Sequence, residues 1–482
     1  AMRAGDLETF GRIAEDEALT LHALMMCSNP SYVLLQPNSL AVIEKVREYR
    51  AETGHPVYFT LDAGPNIHLL YPGEIIHEVR AFIGDELRGS ANVMAADLAG
   101  TPRTGLRVQL CGDAHAGNFR GLASAERRML FDLNDFDETL PGPFEWDVKR
   151  LVASIEVAAR ANGFDDATRA DMVLAAGRAY REAMAQFAAM RDLEVWYSSL
   201  DVEAVLATMA DQADAAQRKR AKKGLAKAHG KDQLRAAAKL TEVVDGRLRF
   251  ISNPPLLISV ADLFGTEIGE ELESAVRGSL ESYQQSLNAD RRHLLSRYRF
   301  VDLARKVVGV GSVGTRAWVA LFVGRDEDDP LVLQVKEAQA SVLEQFLPAS
   351  AYETHGQRVV EGQRLMQAAS DVLLGWQQTD GIDGIRRDYF MRQLWDWKAS
   401  VEVGLLEPPM LARYGQLCGW TLARAHARSG DRIAIAAYLG NGSSFEAAMA
   451  SFASAYADQN DRDHAELVAA IADGRLAAEV GI

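Results

Sequence analysis

Cysteine is scarce in this chain of 482 residues. Cys27, Cys111 and Cys418 are too few and too widely spaced for a disulfide framework or a zinc site, so a reduced, cytoplasmic setting is expected. No run of 18 apolar residues occurs, and no basic segment leads into an apolar one at the start, so neither a membrane span nor a secretory leader is expected. Positive charge is also in deficit. Lys and Arg number 52 against 67 Asp and Glu, a formal charge of -15, which on average repels phosphate backbones and anionic lipid and excludes a general nucleic-acid or membrane binder. A basic run, Arg218-Lys-Arg-Ala-Lys-Lys-Gly-Leu-Ala-Lys227, reads as a solvated helix face, the alternative being a site for an acidic substrate or partner. The chain opens on Ala-Met-Arg and enters helical sequence at once, so its natural start is expected upstream.

What is present is an ordinary globular composition, 48% hydrophobic and 25% charged, at a length suited to two to four domains. The pattern is α+β. Helices are expected at Leu7–Met26 and Ser39–Thr53, followed by a strand at Val57–Leu61. From Arg88 helical sequence dominates, interrupted by strands at Val108–Leu110 and Arg128–Leu133. Helices are expected from Phe144 to Met190, over 199–240 and over 268–297. A strand-rich block runs from Phe300 to Val335 and recurs at 371–377 and 388–394. The last helices are expected at 409–427 and 444–475.

The most specific stretch is Cys111-Gly-Asp-Ala-His-Ala-Gly-Asn118 with Phe131-Asp-Leu-Asn-Asp-Phe-Asp137. Asp113 is spaced to meet a substrate hydroxyl while Asn118 and Asp135 hold a divalent metal, Mg2+, on the phosphates of ATP. Far downstream, Val307-Val-Gly-Val-Gly-Ser-Val-Gly314 carries Gly309, Gly311, Ser312 and Gly314 ahead of a strand-forming rather than a helical run, Thr315–Val323. Strand, glycine loop and strand form a hairpin whose amides can approach phosphates, the alternative being a plain turn. In the next strand, period-two alternation puts Leu331, Leu333 and Val335 on one face and Val332, Gln334 and Lys336 on the other, toward the nucleotide. Glu361 is expected to pair with Lys336, with Glu337 and Glu344 as alternatives.

This arrangement resembles the protein-kinase-like fold, in particular the aminoglycoside and choline kinase branch, and within it the bacterial domain of unknown function 2252. The resemblance covers about 88–482 and implies a two-lobed fold in which Asp113 orients or deprotonates the acceptor hydroxyl. It makes Asn118 and Asp135 metal ligands with Asp137 a second candidate, His115 an organiser of the loop, and Asp147 a brace for the loop backbone. Cys111 replaces the first His of that branch's loop. The order of parts also differs, because the glycine hairpin and Lys336 follow the catalytic loop instead of preceding it. Circular permutation accounts for this, with the helix Leu411–His426 standing for the one that ordinarily leads into the loop. A second Gly-Asp, at Asp431, has Ala436 where Asn is required and is expected to be structural or substrate-facing.

Residues 1–87 carry a different signature. Leu21–Pro30 and Val57-Tyr-Phe-Thr-Leu-Asp-Ala-Gly-Pro-Asn66 resemble the C-terminal end of diphosphomevalonate decarboxylase, of the GHMP-kinase superfamily. That resemblance makes Asp62 the carboxylate acting on the substrate's tertiary hydroxyl. The expected organisation is thus a decarboxylase-like segment to residue 87, a catalytic lobe over 88–299, a nucleotide lobe over 300–400 and completing helices over 401–482. Three functions follow: an ATP- and magnesium-dependent phosphotransferase, a decarboxylase whose ATP-binding half lies elsewhere, and an ATP-binding module without turnover.

Overall fold

The structure is a computed structural model and describes residues 15, 50, 58–61, 67–70, 91–210, 223–226, 228–244, 246–253, 257–260, 262, 269–306, 316–380, 385–397, 399–401 and 403–472. The chain divides into two units, 1–93 with 458–482, and 94–457. In the first, β1 (Tyr58–Leu61) pairs antiparallel with β2 (Ile67–Leu70), with Leu61 opposite Ile67. The strand expected from Val57 is therefore present. Asp62, the basic run other than 223–226, and the helices expected before residue 54, apart from Glu15 and Arg50, which are helical, lie outside the described residues.

Helix α1 (Ala91–Ala99) is followed by β3 (Arg107–Leu110), β4 (Phe119–Ala123), β5 (Met129–Leu133) and β6 (Leu140–Pro143). Two long helices come next, α2 (Phe144–Ala161) and α3 (Asp166–Ala189), the second started by Asp165, whose carboxylate accepts the Thr168 N–H. In the stretch expected to be helical over 199–240, the described residues include a short strand, β7 (Leu200–Asp201), α4 (Val202–Ala210) and α5 (Gln233–Leu240). Asp232 caps the last of these by accepting the Arg235 N–H, so a new helix starts there. A hairpin not expected from the sequence follows, β8 (Thr241–Val244) with β9 (Arg247–Phe250), turned by Gly246 at φ 75°.

After β10 (Leu257–Ser259), α6 (Gly269–Ser286) and α7 (Ala289–Leu295) come β11 (Arg299–Lys306), β12 (Ala317–Val323), β13 (Pro330–Ala338), α8 (His355–Met366), β14 (Gly375–Asp380) and β15 (Arg386–Gln393). Six of these strands form one antiparallel sheet in the order β10-β11-β12-β13-β15-β14. β13 is buried along its whole length and feeds two cores. Leu331, Leu333 and Val335 pack with Phe322, Met391 and Tyr283 of α6, while Val332 packs with Val319, Leu321 and Ala236 of α5. Each such side chain, once buried, contributes about 1.5–3 kcal/mol. The alternation read from the sequence is the one observed.

The chain closes with β16 (Ala399–Ser400), α9 (Pro408–Ser429), α10 (Arg432–Leu439) and α11 (Ser444–Ala472). A second sheet has the order β16-β4-β5-β7, and β3 pairs with β6. The largest core joins these strands to α2, α3, α8 and α9 through Phe119, Leu133, Phe144, Tyr180, Val360 and Leu422. Helices α3 and α9 approach so closely that a Cβ on Gly419 would lie 2.4 Å from the Ala176 carbonyl oxygen. The end of α9 lies against β3, where the Gln109 N–H donates to Ser429 Oγ at 3.2 Å. Among the described residues, no helix is long and apolar enough to cross a membrane.

Candidate functional site

Strand β3 delivers the chain into the loop 111–118, and α2 holds that loop from behind. In the first turn of α2, where the helix dipole favours an anion, Asp147 accepts the N–H groups of Cys111 at 2.7 Å and Gly112 at 3.0 Å. Its Oδ2 also lies 3.2 Å from His426 Nε2, and His426 Nδ1 lies 2.8 Å from the Tyr180 hydroxyl, a line of fully buried polar groups under the loop. The brace expected of Asp147 is thus present. Gly112 has φ 87°, and a Cβ there would stand 2.2 Å from the Glu138 carbonyl oxygen, so the loop lies directly against the acidic segment after β5.

Asp113 projects from this loop with a third of its side chain exposed, and Arg150, one turn beyond Asp147 on α2, donates Nε–H to its Oδ1 at 2.7 Å. His115 caps the short turn Ala116–Asn118 by accepting the Gly117 N–H at Nδ1, the organising part expected of it. Burial holds its imidazole below the ordinary range, opposed by the Asp113 charge and aided by Arg150. Burial, with Asp147 and Asp113 nearby, pushes the Cys111 thiol well up, so it remains a thiol; Sγ donates to the Asp135 carbonyl at 3.1 Å.

Asn118, expected to ligate metal, bonds through its carboxamide to the backbone of both loops. Oδ1 accepts the Asp135 N–H at 2.7 Å, and Nδ2 donates to the carbonyls of Asp113 at 3.1 Å and Asp135 at 3.0 Å. At 3% exposure it ties the two loops together. A buried amide is pinned by carbonyls on both loops before any ion arrives.

Lys336 reaches this acidic segment from β13. Its Nζ forms an ion pair with Asp137 Oδ2 and lies 3.7 Å from Asp135 Oδ2. Burial lowers the ammonium pKa, but the two carboxylates outweigh it and the net shift is upward. Burial likewise pushes both carboxyls up. At Asp135 the charges of Lys336 and Arg392 prevail and lower it, whereas Asp137 is raised to about 7 by burial and by Asp135. Asp137 Oδ1 is buried without a hydrogen-bond partner. Two adjacent carboxylates, one with an unbonded oxygen, suit a hard divalent cation that takes one or two carboxylates and completes its shell with water and phosphate. Among the described residues no group of three His, Cys, Asp or Glu side chains is arranged to hold a metal ion.

The partner expected for Lys336, Glu361, is not the one found. Glu361 pairs with Arg364 on its own helix at 2.9 Å. The side of α8 that meets the acidic segment carries Arg358, almost fully buried, which donates at 2.7 Å to the carbonyls of Asp137, Thr139 and Gln339. Asp135 and Asp137 therefore take the lysine. Of the two alternatives, Glu337 lies near Arg316 and Arg387, and Glu344 near Arg358. The stems of the glycine hairpin, β11 and β12, are antiparallel neighbours as expected, but Gly309, Gly311, Ser312 and Gly314 lie outside the described residues. Asp431 caps α10, accepting the N–H groups of Ile433 and Ala434, which is a structural duty.

Arg150, Arg358 and Arg392 were not singled out from the sequence. Arg150 had a signal, since it stands three residues after Asp147 and so on the same helical face. Arg392 donates to the Asn134 carbonyl at 2.9 Å, beside a cleft of about 390 Å³, including solvent at its mouth, also lined by Gln363, Gln367 and Asp371.

A site that joins a braced Asp–His–Asn loop, an acidic segment and a strand lysine defines the class of protein to compare. Residues 86–470 match the model of the family described as an uncharacterized protein conserved in bacteria (DUF2252), and the chain belongs to that family. Residues 1–105 match the mevalonate 5-diphosphate decarboxylase C-terminal domain. Over 85 residues the chain is 32% identical to a phosphomevalonate decarboxylase of Haloferax volcanii, covering 18% of this chain and 26% of that protein. The chain thus spans about a quarter of that relative's length. No solved structure matches it.

Proposed function

We propose that this chain transfers the γ-phosphoryl group of ATP to a hydroxyl of a small molecule or protein, using magnesium, on a kinase-like two-lobed fold with permuted order. The observation that carries this reading is the convergence of Lys336 on Asp135 and Asp137, groups 199 residues apart for the closer pair. In this reading Lys336 binds the α- and β-phosphates and Asp113 accepts or orients the acceptor proton. Arg150 fixes the Asp113 carboxylate, and Asn118 holds the spacing between the two loops. Asp135 and Asp137 would hold the metal, which would supply positive charge to the phosphoryl oxygens. The permuted order is supported by the contact of α9's last residue with β3, since a short connection there would restore the helix-to-loop order. Residues 88–299 and 401–482 would then supply the catalytic lobe, and 300–400 the nucleotide lobe.

The test is thermal shift and ADP formation with ATP and magnesium. Nucleotide should raise the melting temperature saturably, and Asp135→Ala should remove the metal-dependent part. No nucleotide-induced shift would contradict the reading, and a shift without transfer to any acceptor would favour a binding module.

A second reading has its own support in the match of residues 1–105 to the decarboxylase domain. A decarboxylase-related segment, with Asp62 as its carboxylate, would then precede the kinase-like part. Carbon dioxide release from diphosphomevalonate by this chain tests it; release only when an ATP-binding half is added would mark the segment as incomplete on its own.

A further inference from the structure

Where the ends of β4, α8 and β15 meet the exit of β5 lies the cleft of about 390 Å³, including solvent at its mouth, and two residues of its lining carry a buried polar atom with no hydrogen-bond partner. One atom is an acceptor, Oδ1 of Asn134, a residue 4% exposed that directly precedes Asp135. The other is a donor, Nε of Arg392 on β15. The two residues are joined, because Arg392 Nη1 donates to the Asn134 carbonyl at 2.9 Å. An unused acceptor and an unused donor thus stand on bonded neighbours in the wall of one cavity.

The polar side chains around them are engaged within the fold. Gln363 Nε2 donates to Gln367 Oε1 at 3.0 Å, and Gln367 Nε2 donates to the Leu133 carbonyl at 2.6 Å. Asp371 accepts the Leu373 N–H at 2.8 Å and the Gln393 N–H at 3.1 Å, and Asp396 pairs with Arg127 at 2.7 Å. Charge narrows the chemistry further. Among the residues lining the cleft, Arg392 is the one cation, set against Asp371 and Asp396. An added anion would therefore meet no surplus of positive charge, whereas a neutral ligand loses nothing by this. A molecule that carries an acceptor beside a donor satisfies both unbonded atoms at once, and an amide does so from two atoms of one plane.

We propose that this cleft binds a small neutral molecule through an amide group, its carbonyl accepting from Arg392 Nε and its N–H donating to Asn134 Oδ1. The site stands on the cleft and its two unbonded atoms and does not rest on the phosphotransferase reading. An occupant would bear directly on the acidic segment, since Asn134 leads into Asp135 and Arg392 holds its carbonyl.

Saturation-transfer NMR of the full chain with acetamide, and separately with acetate, tests this without ATP or metal. Acetamide should bind saturably, and acetate, alike in shape but charged, about tenfold more weakly or not at all. Asn134→Leu should weaken acetamide binding about tenfold or more by removing the acceptor. Arg392→Lys should weaken it about as much, because charge survives while the Nε–H is lost. Melting curves show whether Asn134→Leu is folded, and Arg392→Lys carries the comparison if it is not. No saturable acetamide binding would mean that the cleft holds water alone and would overturn the site. Acetate binding as tightly as acetamide, or acetamide binding unchanged in both variants, would overturn it too. Displacement of acetamide by adenosine would give the cleft to the nucleotide and end its standing as a separate site. Failure of ATP to shift the melting temperature would leave the acetamide result untouched, so the two readings fail separately.

Discussion

Asn118 shows what a residue type can and cannot reveal. Its place after Asp113 is legible, because the spacing puts a carboxamide at the end of a tight loop. Which atoms that carboxamide faces is set by the second loop, which arrives from β5, and it bonds to the backbone of Asp113 and Asp135. Asn118→Ala should therefore lower the stability of metal-free protein by about 2–3 kcal/mol in urea unfolding, since buried polar groups lose their partners. A residue serving only as a metal ligand would leave metal-free stability unchanged. The expected pairing of Glu361 with Lys336 failed for a similar reason. Arg358 and Glu361 are three apart on one helix, and only packing against the acidic segment decides that the arginine turns inward. Glu361→Gln is accordingly expected to leave nucleotide affinity within about twofold, measured by titration calorimetry, because Glu361 is spent on a partly exposed pair with Arg364 of its own helix.

At the scale of elements, periodicity carried most of what could be read in advance. β13 alternates apolar residues over both faces, and α9 spans nearly the range expected of it. Boundaries set by side-chain capping were less visible. The strand expected from Asp371 begins at Gly375, because Asp371 first closes a turn by accepting the Leu373 N–H at 2.8 Å. Helix packing depends on small residues at particular points. Gly419→Ala should place a methyl 2.4 Å from the Ala176 oxygen, separate α3 from α9 and reduce stability by about 1–3 kcal/mol, readable as a lower urea midpoint. The start of α11 is fastened to α3 by Glu446, whose carboxylate accepts from Arg181 at 2.9 and 3.1 Å. Burial pushes the Glu446 carboxyl up, but the Arg181 hydrogen bonds prevail and hold it below its ordinary 4.5. A depressed carboxyl stabilises the fold above its unfolded value and loses that contribution as pH falls through its folded one. Glu446→Gln should therefore flatten the decline of the urea midpoint as pH is lowered below about 4.5.

For the molecule as a whole, the two walls of the candidate site come from parts of the family-matched region 199 residues apart and meet where Lys336 pairs with Asp137. The residues of each wall, Asp135 and Asp137 on one side and Lys336 on the other, were named from local motifs. Their meeting was expected only through the resemblance to the kinase-like fold, because nothing local specifies which loop a strand lysine will face across so long a separation. A net charge of -15 repels ATP on average, so any affinity must come from a local cluster of Lys336, Arg392 and metal at the acidic loop. The most direct measurement is titration calorimetry of magnesium ATP into the parent chain and into Lys336→Met. The account predicts saturable one-to-one binding in the parent, weakened about tenfold or more in the variant, as expected when a charged phosphate contact is lost. Equal affinity in both proteins, or no binding in either, would contradict it.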